Sequence, residues 1–339
     1  MADSDAVKRM VESHQRGDEA GFRQAAESYL QHERRMKHHG VAEELERLLT
    51  NRGADRPLNV ASLKALPQAR DERSLLALRQ PQATLRDMVL PKRTLIPIEG
   101  VIREFSQRQL LASRGVTPRS KVLFVGPPGC GKSMAAAAIA AELGLPLAQV
   151  QLAAVVSSYL GDTARNLDSI LEFARSGTWV LLFDEFDMLA KERSDQTEHG
   201  ELRRVVAALL QMLDDFEGDS LVIATSNHAG LLDEAVWRRF DDVVLFDFPT
   251  QTQIAELLRV KFRGLRTKFD RREIARSLKG ASPADVEMAC LAAARAAILQ
   301  GSDVVEAEHM GWGVRELHRR RGEVAKFLNS RRSSANPRS

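Results

Sequence analysis

Gly126-Pro-Pro-Gly-Cys-Gly-Lys132-Ser133-Met134 decides how this chain folds. It follows the apolar run Val122-Leu-Phe-Val125 and leads into an alanine-rich stretch that ends near Leu143. A short apolar run, a glycine-rich turn and a run of helix formers read as strand, loop and helix. The spacing G-x-x-x-x-G-K-[ST] in that context lets backbone N–H groups turn inward and wrap phosphate oxygens at the positive end of the helix. Gly126, Pro127, Pro128, Gly129, Cys130, Gly131, Lys132, Ser133 and Met134 are therefore the candidate phosphate-contacting residues. Lys132 is expected on the β- and γ-phosphates and the Ser133 hydroxyl on Mg²⁺. The helix end is expected to lower the thiol pKa of Cys130, which has no catalytic role in this reading.

A second element must complete such a site. Val180-Leu-Leu-Phe-Asp184-Glu185 is an apolar run ending in two acids. Acids at a strand's carboxyl end project into the crevice where ligands of open α/β sheets bind. Asp184 is expected to support the metal, and Glu185 to orient and deprotonate an attacking water. The run Ser220-Leu-Val-Ile-Ala-Thr225 leads to Asn227, whose amide is placed to hold the same water.

Other apolar runs at 147–152 and 243–246 complete a set of five. They are apolar on consecutive positions and are separated by helical stretches. That pattern suits strands covered on both faces and joined by right-handed crossovers. The fold class is α/β: a five-stranded parallel P-loop NTPase sheet flanked by helices, spanning 95–248. Beyond Pro249 the strands stop. Ile254, Leu257, Leu258 and Phe262, then Val286, Ala289, Cys290 and Ala293, mark an all-helical unit over 249–320. Upstream, residues 1–50 carry three helical apolar stripes, and the proline-rich stretch 51–94 reads as a linker. Residues 321–339 form a basic tail, expected to be frayed.

Composition bounds the alternatives. Of 339 residues, 44% are hydrophobic and 28% charged, which excludes a wholly disordered or fibrous chain. The net charge is +3, from 49 basic and 46 acidic residues, and gives little support to nucleic acid as partner. No window is apolar enough to span a bilayer, and the acidic start does not read as a secretory signal. Two cysteines make neither a disulfide framework nor a metal motif. The cytoplasm is the expected location.

Together the P-loop, Asp184-Glu185, Asn227 and the stretch Leu232-Asp-Glu-Ala-Val-Trp-Arg238-Arg239-Phe-Asp241 resemble an AAA ATPase, in the branch that holds spastin, katanin and the AAA proteases. The resemblance covers about 95–320. It implies ATP and Mg²⁺ as cofactors, and a helical lid whose turn at Gly280-Ala281 closes over base and ribose, with Ser282 or Asp285 capping the next helix. It also implies that Arg238 and Arg239 are arginine fingers reaching a neighbour's nucleotide, so that hydrolysis requires a ring of copies, usually a hexamer. The family's Asp-x-x-Gly signature beside adenine has only a loose counterpart in Ile96-Pro-Ile-Glu-Gly100.

Ser157-Ser-Tyr159-Leu160-Gly161 resembles the pore loop of protein-threading members. An aromatic ring there offers broad contact at little entropic cost. The expected function is ATP-driven remodelling, unfolding or threading of protein substrates. No His-Glu-x-x-His helix is present, so proteolysis would need a separate partner protease. The N-terminal helical unit is the expected recruiter of substrate or partner. A nucleic-acid-associated ATPase of loader or transposition-helper type is the alternative, on the strength of Arg319-Arg-Arg321, Lys326, Arg331-Arg332 and Arg338.

Overall fold

The computed structural model describes residues 66–155, 162–187 and 211–334 except 82, 229 and 231–233, together with 25, 26, 28, 29 and 209. The chain divides into two units, Met1–Asn59 and Val60–Ser339. In the first, Ala25 and Ala26 are helical and buried. The rest of the expected three-helix unit lies outside the described residues, as do Tyr159, Leu160 and Gly161 of the expected pore loop.

The second unit opens with strand β1 (Leu76–Arg79), then helix α1 (Lys92–Ser106) and strand β2 (Lys121–Val125). Helix α2 (Lys132–Leu143), β3 (Leu147–Val150), α3 (Asp162–Arg175), β4 (Val180–Phe183), β5 (Leu221–Ser226) and β6 (Asp242–Leu245) complete the sheet region. The sheet order is β1-β3-β4-β5-β2-β6. All neighbours pair in parallel except β1, which runs antiparallel to β3 in the register Leu76↔Val150. The five expected strands are thus joined by a sixth, drawn from the stretch read as a linker. A turn at Arg70–Arg73, with Glu72 at φ 65°, folds this short edge strand back.

Both sheet faces are covered. Val122 and Phe124 pack with Ile98, Val101 and Ile139 of α1 and α2, while Leu123 and Val125 pack with Leu167 and Ile170 of α3. Neighbouring positions thus face opposite layers, which is why the strand reads as continuously apolar.

The C-terminal part carries α4 (Gln251–Lys261), β7 (Arg266–Lys268), α5 (Arg271–Ser277), α6 (Pro283–Leu299), β8 (Val304–Glu306) and α7 (Ala307–Ser334). It has its own core around Leu258, Val286, Ala293 and Met310. It is helical except for a short parallel ladder of β7 with β8, which sequence periodicity did not reveal. The basic tail, expected to be frayed, is instead helical as far as Ser334. Thr250 and Gln253 form a capping box on α4, and Ser282 and Asp285 form one on α6, so both candidate caps of that helix are used reciprocally.

Arg119 ties α1 to the sheet edge. Its Nε donates to Glu104 at 2.9 Å and its guanidinium pairs with Asp242 of β6. The Arg119 hydrogen bond holds the Glu104 carboxyl below its ordinary value of 4.5. Such a depressed acid stabilises the fold above its unfolded pKa, and that contribution is lost as pH falls through the folded value. Arg119→Ala is expected to cost about 2 kcal/mol in urea unfolding at neutral pH. The gap from the parent protein should narrow as pH drops below 4.5.

Candidate active site

Strands β4, β5 and β2 are consecutive in the sheet, so their carboxyl ends lie side by side. They deliver Asp184 and Glu185, Thr225 and Asn227, and the P-loop to one crevice, as open α/β sheets do. A cavity of about 320 Å³ opens there.

Gly126 leaves β2 so close to the β6 end that a Cβ would stand 2.1 Å from the Phe246 carbonyl oxygen. No side chain fits. Lys132, the first residue of α2, is 6% exposed. Its ammonium donates to the Gly126 carbonyl at 2.7 Å, the Pro127 carbonyl at 2.9 Å and Asn227 Oδ1 at 2.8 Å. Burial pushes its pKa down, and Asp184, Asp187 and Glu185 nearby push it back up. Burial relieves the group of water, which strengthens the attraction of an ammonium there for phosphate.

Ser133 Oγ donates to Asp184 Oδ1 at 2.8 Å. Gln149 Nε2 approaches Asp184 Oδ2 at 3.5 Å. A hydroxyl and a carboxylate are hard oxygen donors of the kind Mg²⁺ takes alongside phosphate and water. Among the described residues no group of three or more His, Cys, Asp or Glu side chains is placed to hold a metal unaided. The donor set therefore fits a cation that arrives with the nucleotide. Asn227 is oriented through its backbone N–H, which donates to the buried Asp187 Oδ1 at 3.0 Å.

Of the expected residues, Pro128, Gly129, Cys130, Gly131, Lys132, Ser133, Met134, Asp184, Glu185 and Asn227 line the cavity. Gly126 and Pro127 support it through the carbonyls that bind Lys132. Gly280 and Ala281 do not line it: Ala281 is buried in the lid core, and Pro283 and Ala284 take the expected place. The Ala284 N–H donates to the Gly129 carbonyl at 3.1 Å, seating the lid directly on the P-loop. Gly129 has φ 75° and leaves room for Ser282, whose Oγ would lie 2.8 Å from an added Cβ. Burial raises the Cys130 thiol pKa and outweighs Lys132, contrary to the lowering expected from the helix end.

Arg238 and Arg239 are also outside the cavity. Arg238 is exposed and pairs with Glu234, and Arg239 pairs with Asp214 at 2.6 Å. Ile96-Pro-Ile-Glu-Gly100 falls inside α1, with Ile96 at 62% exposure. The apolar walls come instead from Met88, Val89 and Leu90 before α1 and from Leu257 and Pro283 of the lid. Sequence reasoning missed these, together with Thr225, Gln149 and Asp187. A three-residue apolar step before Pro91 carries no periodicity to flag it.

A family model described as "ATPase family associated with various cellular activities (AAA)" matches residues 122–248. The chain is 36% identical over 330 residues to an uncharacterized AAA family ATPase of Sinorhizobium fredii, covering 96% of this chain and 99% of that protein. It is 32% identical over 239 residues to a proteasome-activating nucleotidase of Pyrococcus abyssi, covering 67% of this chain and 60% of that protein. It is 34% identical over 216 residues to the cell division control protein 48 homolog C of Arabidopsis thaliana, covering 59% of this chain and 26% of that protein. The chain belongs to the AAA family of ATPases. It binds nucleotide and is an ATP hydrolase. Among the described residues no helix is long and apolar enough to cross a membrane.

The lid's seat has a tether. Arg321 of α7 pairs with Asp285 Oδ2 at 2.5 Å, the same oxygen that accepts the Ser282 hydroxyl. Burial opposes ionisation of Asp285, yet the Ser282 and Arg321 hydrogen bonds hold its carboxyl below the usual range. Arg321→Ala is expected to weaken equilibrium binding of a fluorescent ATP analogue about 5–10-fold, the loss of one charge-assisted bond. An unchanged Kd would disconnect α7 from the site.

Proposed function

We propose that this ATPase hydrolyses Mg²⁺-ATP between neighbouring copies in a ring, a hexamer, and uses the energy to remodel, unfold or thread protein substrates. The observation that carries the assembly is that no arginine lines the cavity among the described residues, whose cations there are Lys132 and Lys261. Charge developing on the transferring phosphoryl group needs such a cation. An arginine finger is worth roughly 10³–10⁵ in rate. Arg238 is exposed, is paired with Glu234 among the described residues, and can exchange that pairing for a neighbour's phosphate, with Arg239 beside it.

Within one copy, Lys132 grips the β- and γ-phosphates, exchanging its Asn227 contact for a phosphate oxygen. Ser133 and Asp184 would hold the cation, which would supply neutralisation of phosphate charge. Glu185 takes a proton from the attacking water, and the Asn227 amide holds that water in line. Asp187 keeps Asn227 in place. The walls of Met88, Val89 and Leu257 suit the face of a purine base.

A protein substrate is supported by Tyr159, Leu160 and Gly161, which lie outside the described residues, and by likeness to a proteasome-activating nucleotidase, although this chain spans only 60% of that protein's length. A separate protease could receive the threaded chain. Nucleic acid is the less favoured substrate, because two of the charges expected to contact it, Arg319 and Arg321, are met by acids within the chain. Arg319 bonds Glu316 and Glu323, and Arg321 bonds Asp285.

Three variants test the scheme. Glu185→Gln should bind ATP, lose turnover and run as a ring on sizing with ATP. Arg238→Ala with Arg239→Ala should keep nucleotide affinity while kcat falls by about 10³ or more. Tyr159→Ala should hydrolyse ATP normally and fail to unfold a tagged fluorescent protein; intact unfolding by that variant would remove the threading mechanism.

A further inference from the structure

We infer that Thr225 is a positioning residue for hydrolysis: its buried hydroxyl holds Asp184 and the Glu185 backbone together in their working arrangement. This rests on the reading of Glu185 as the base. Thr225 lies on β5, is 1% exposed, and lines the cavity beside the two acids. Its Oγ1 donates to Asp184 Oδ1 at 2.6 Å and accepts the Glu185 N–H at 3.0 Å. Its main-chain carbonyl accepts the Phe186 N–H at 2.8 Å. One residue thus grips three successive positions of the turn after β4.

The polarity of these bonds is determined. A hydroxyl has one proton, and an N–H can only donate, so the proton must point at Asp184. That bond requires an acceptor, which the Asp184 Oδ1 oxygen supplies. Ser133 donates to the same oxygen at 2.8 Å. When the Ser133 hydroxyl turns to a metal, Thr225 is the partner that keeps the carboxylate in place.

The backbone gives a second reason. Glu185 has φ 55°, one of two described non-glycine residues with positive φ. A left-handed conformation at such a residue costs on the order of 1–3 kcal/mol and persists only where the surroundings enforce it. Its N–H bond to Thr225 is an enforcing contact. Released from it, Glu185 would relax toward ordinary φ and swing its carboxyl away from the water it must deprotonate. Valine has nearly the same shape and would present a methyl group to both partners. Serine would keep the hydroxyl.

The experiment compares Thr225→Val, Thr225→Ala and Thr225→Ser in the full chain, with Glu185→Gln as reference. It records kcat, KM, binding of a fluorescent ATP analogue, Mg²⁺ dependence and melting temperature. Valine and alanine should each lower kcat about 10–100-fold while analogue binding stays within about 3-fold. They should also raise the Mg²⁺ concentration needed for half-maximal rate. Serine should restore kcat to within about 3-fold of the parent. A purely packing role would instead lower the melting temperature of all three without splitting kcat from binding. The inference is overturned if valine and alanine keep kcat within about twofold, or if folded serine is as impaired as valine. Full turnover by Glu185→Gln would refute the base reading and this inference together. Dead Glu185→Gln beside unimpaired Thr225→Val would refute this inference alone.

Discussion

The constraint on which everything else rests is the adjacency of β4, β5 and β2. Because β5 lies between the other two, its carboxyl end touches the acids on one side and the phosphate loop on the other. Lys132 reaches across to Asn227, and Thr225 reaches back to Asp184, so β5 joins two elements that never pair directly. A strand order that set β4 and β2 further apart would separate Ser133 from Asp184, which here meet at 2.8 Å across the end of β5. Topology, set by burial on both sheet faces, therefore comes before chemistry.

A second layer of contacts comes from the helical C-terminal part. A single backbone hydrogen bond, from Ala284 to Gly129, joins it to the loop. That contact is possible because Gly129 has no side chain and Ser282 occupies the space. The capping box that starts α6 fixes the position of Ser282, and α7 holds the capping box through Arg321. Helix-start chemistry and site geometry are the same set of atoms here.

How much of this was legible in the sequence depended on how narrowly chemistry restricts each position. Gly126, Lys132, Ser133 and Asp184 could be read because few residue types can do their work. The capping pair Ser282 and Asp285 was legible for the same reason. Thr225 was not, because a threonine at the end of an apolar run is an ordinary strand former, and its hydroxyl matters only once β4 is beside it. Strand β1 was hidden by its four-residue length and by prolines on either side. Its pairing with β3 is a tertiary choice that local pattern does not express. The Cys130 thiol was misjudged because the helix end was weighed without the burial that outweighs it. Met88 and Val89 were passed over in favour of a glycine signature that the fold places inside α1.

On the proposed mechanism, the Lys132 contacts would couple nucleotide arrival to the residues assigned to catalysis. An ammonium has three protons, and all three are occupied, by two loop carbonyls and the Asn227 side chain. A phosphate oxygen can be bound only by displacing one of them. The carbonyls of Gly126 and Pro127 belong to the loop itself, whereas Asn227 follows the end of β5 and is steadied independently by Asp187. Yielding the Asn227 contact frees its amide oxygen without moving its backbone. The side chain that must hold water is then released by the same event that brings the phosphate it will act upon. A buried ammonium with no spare proton would in this way link binding to readiness for hydrolysis.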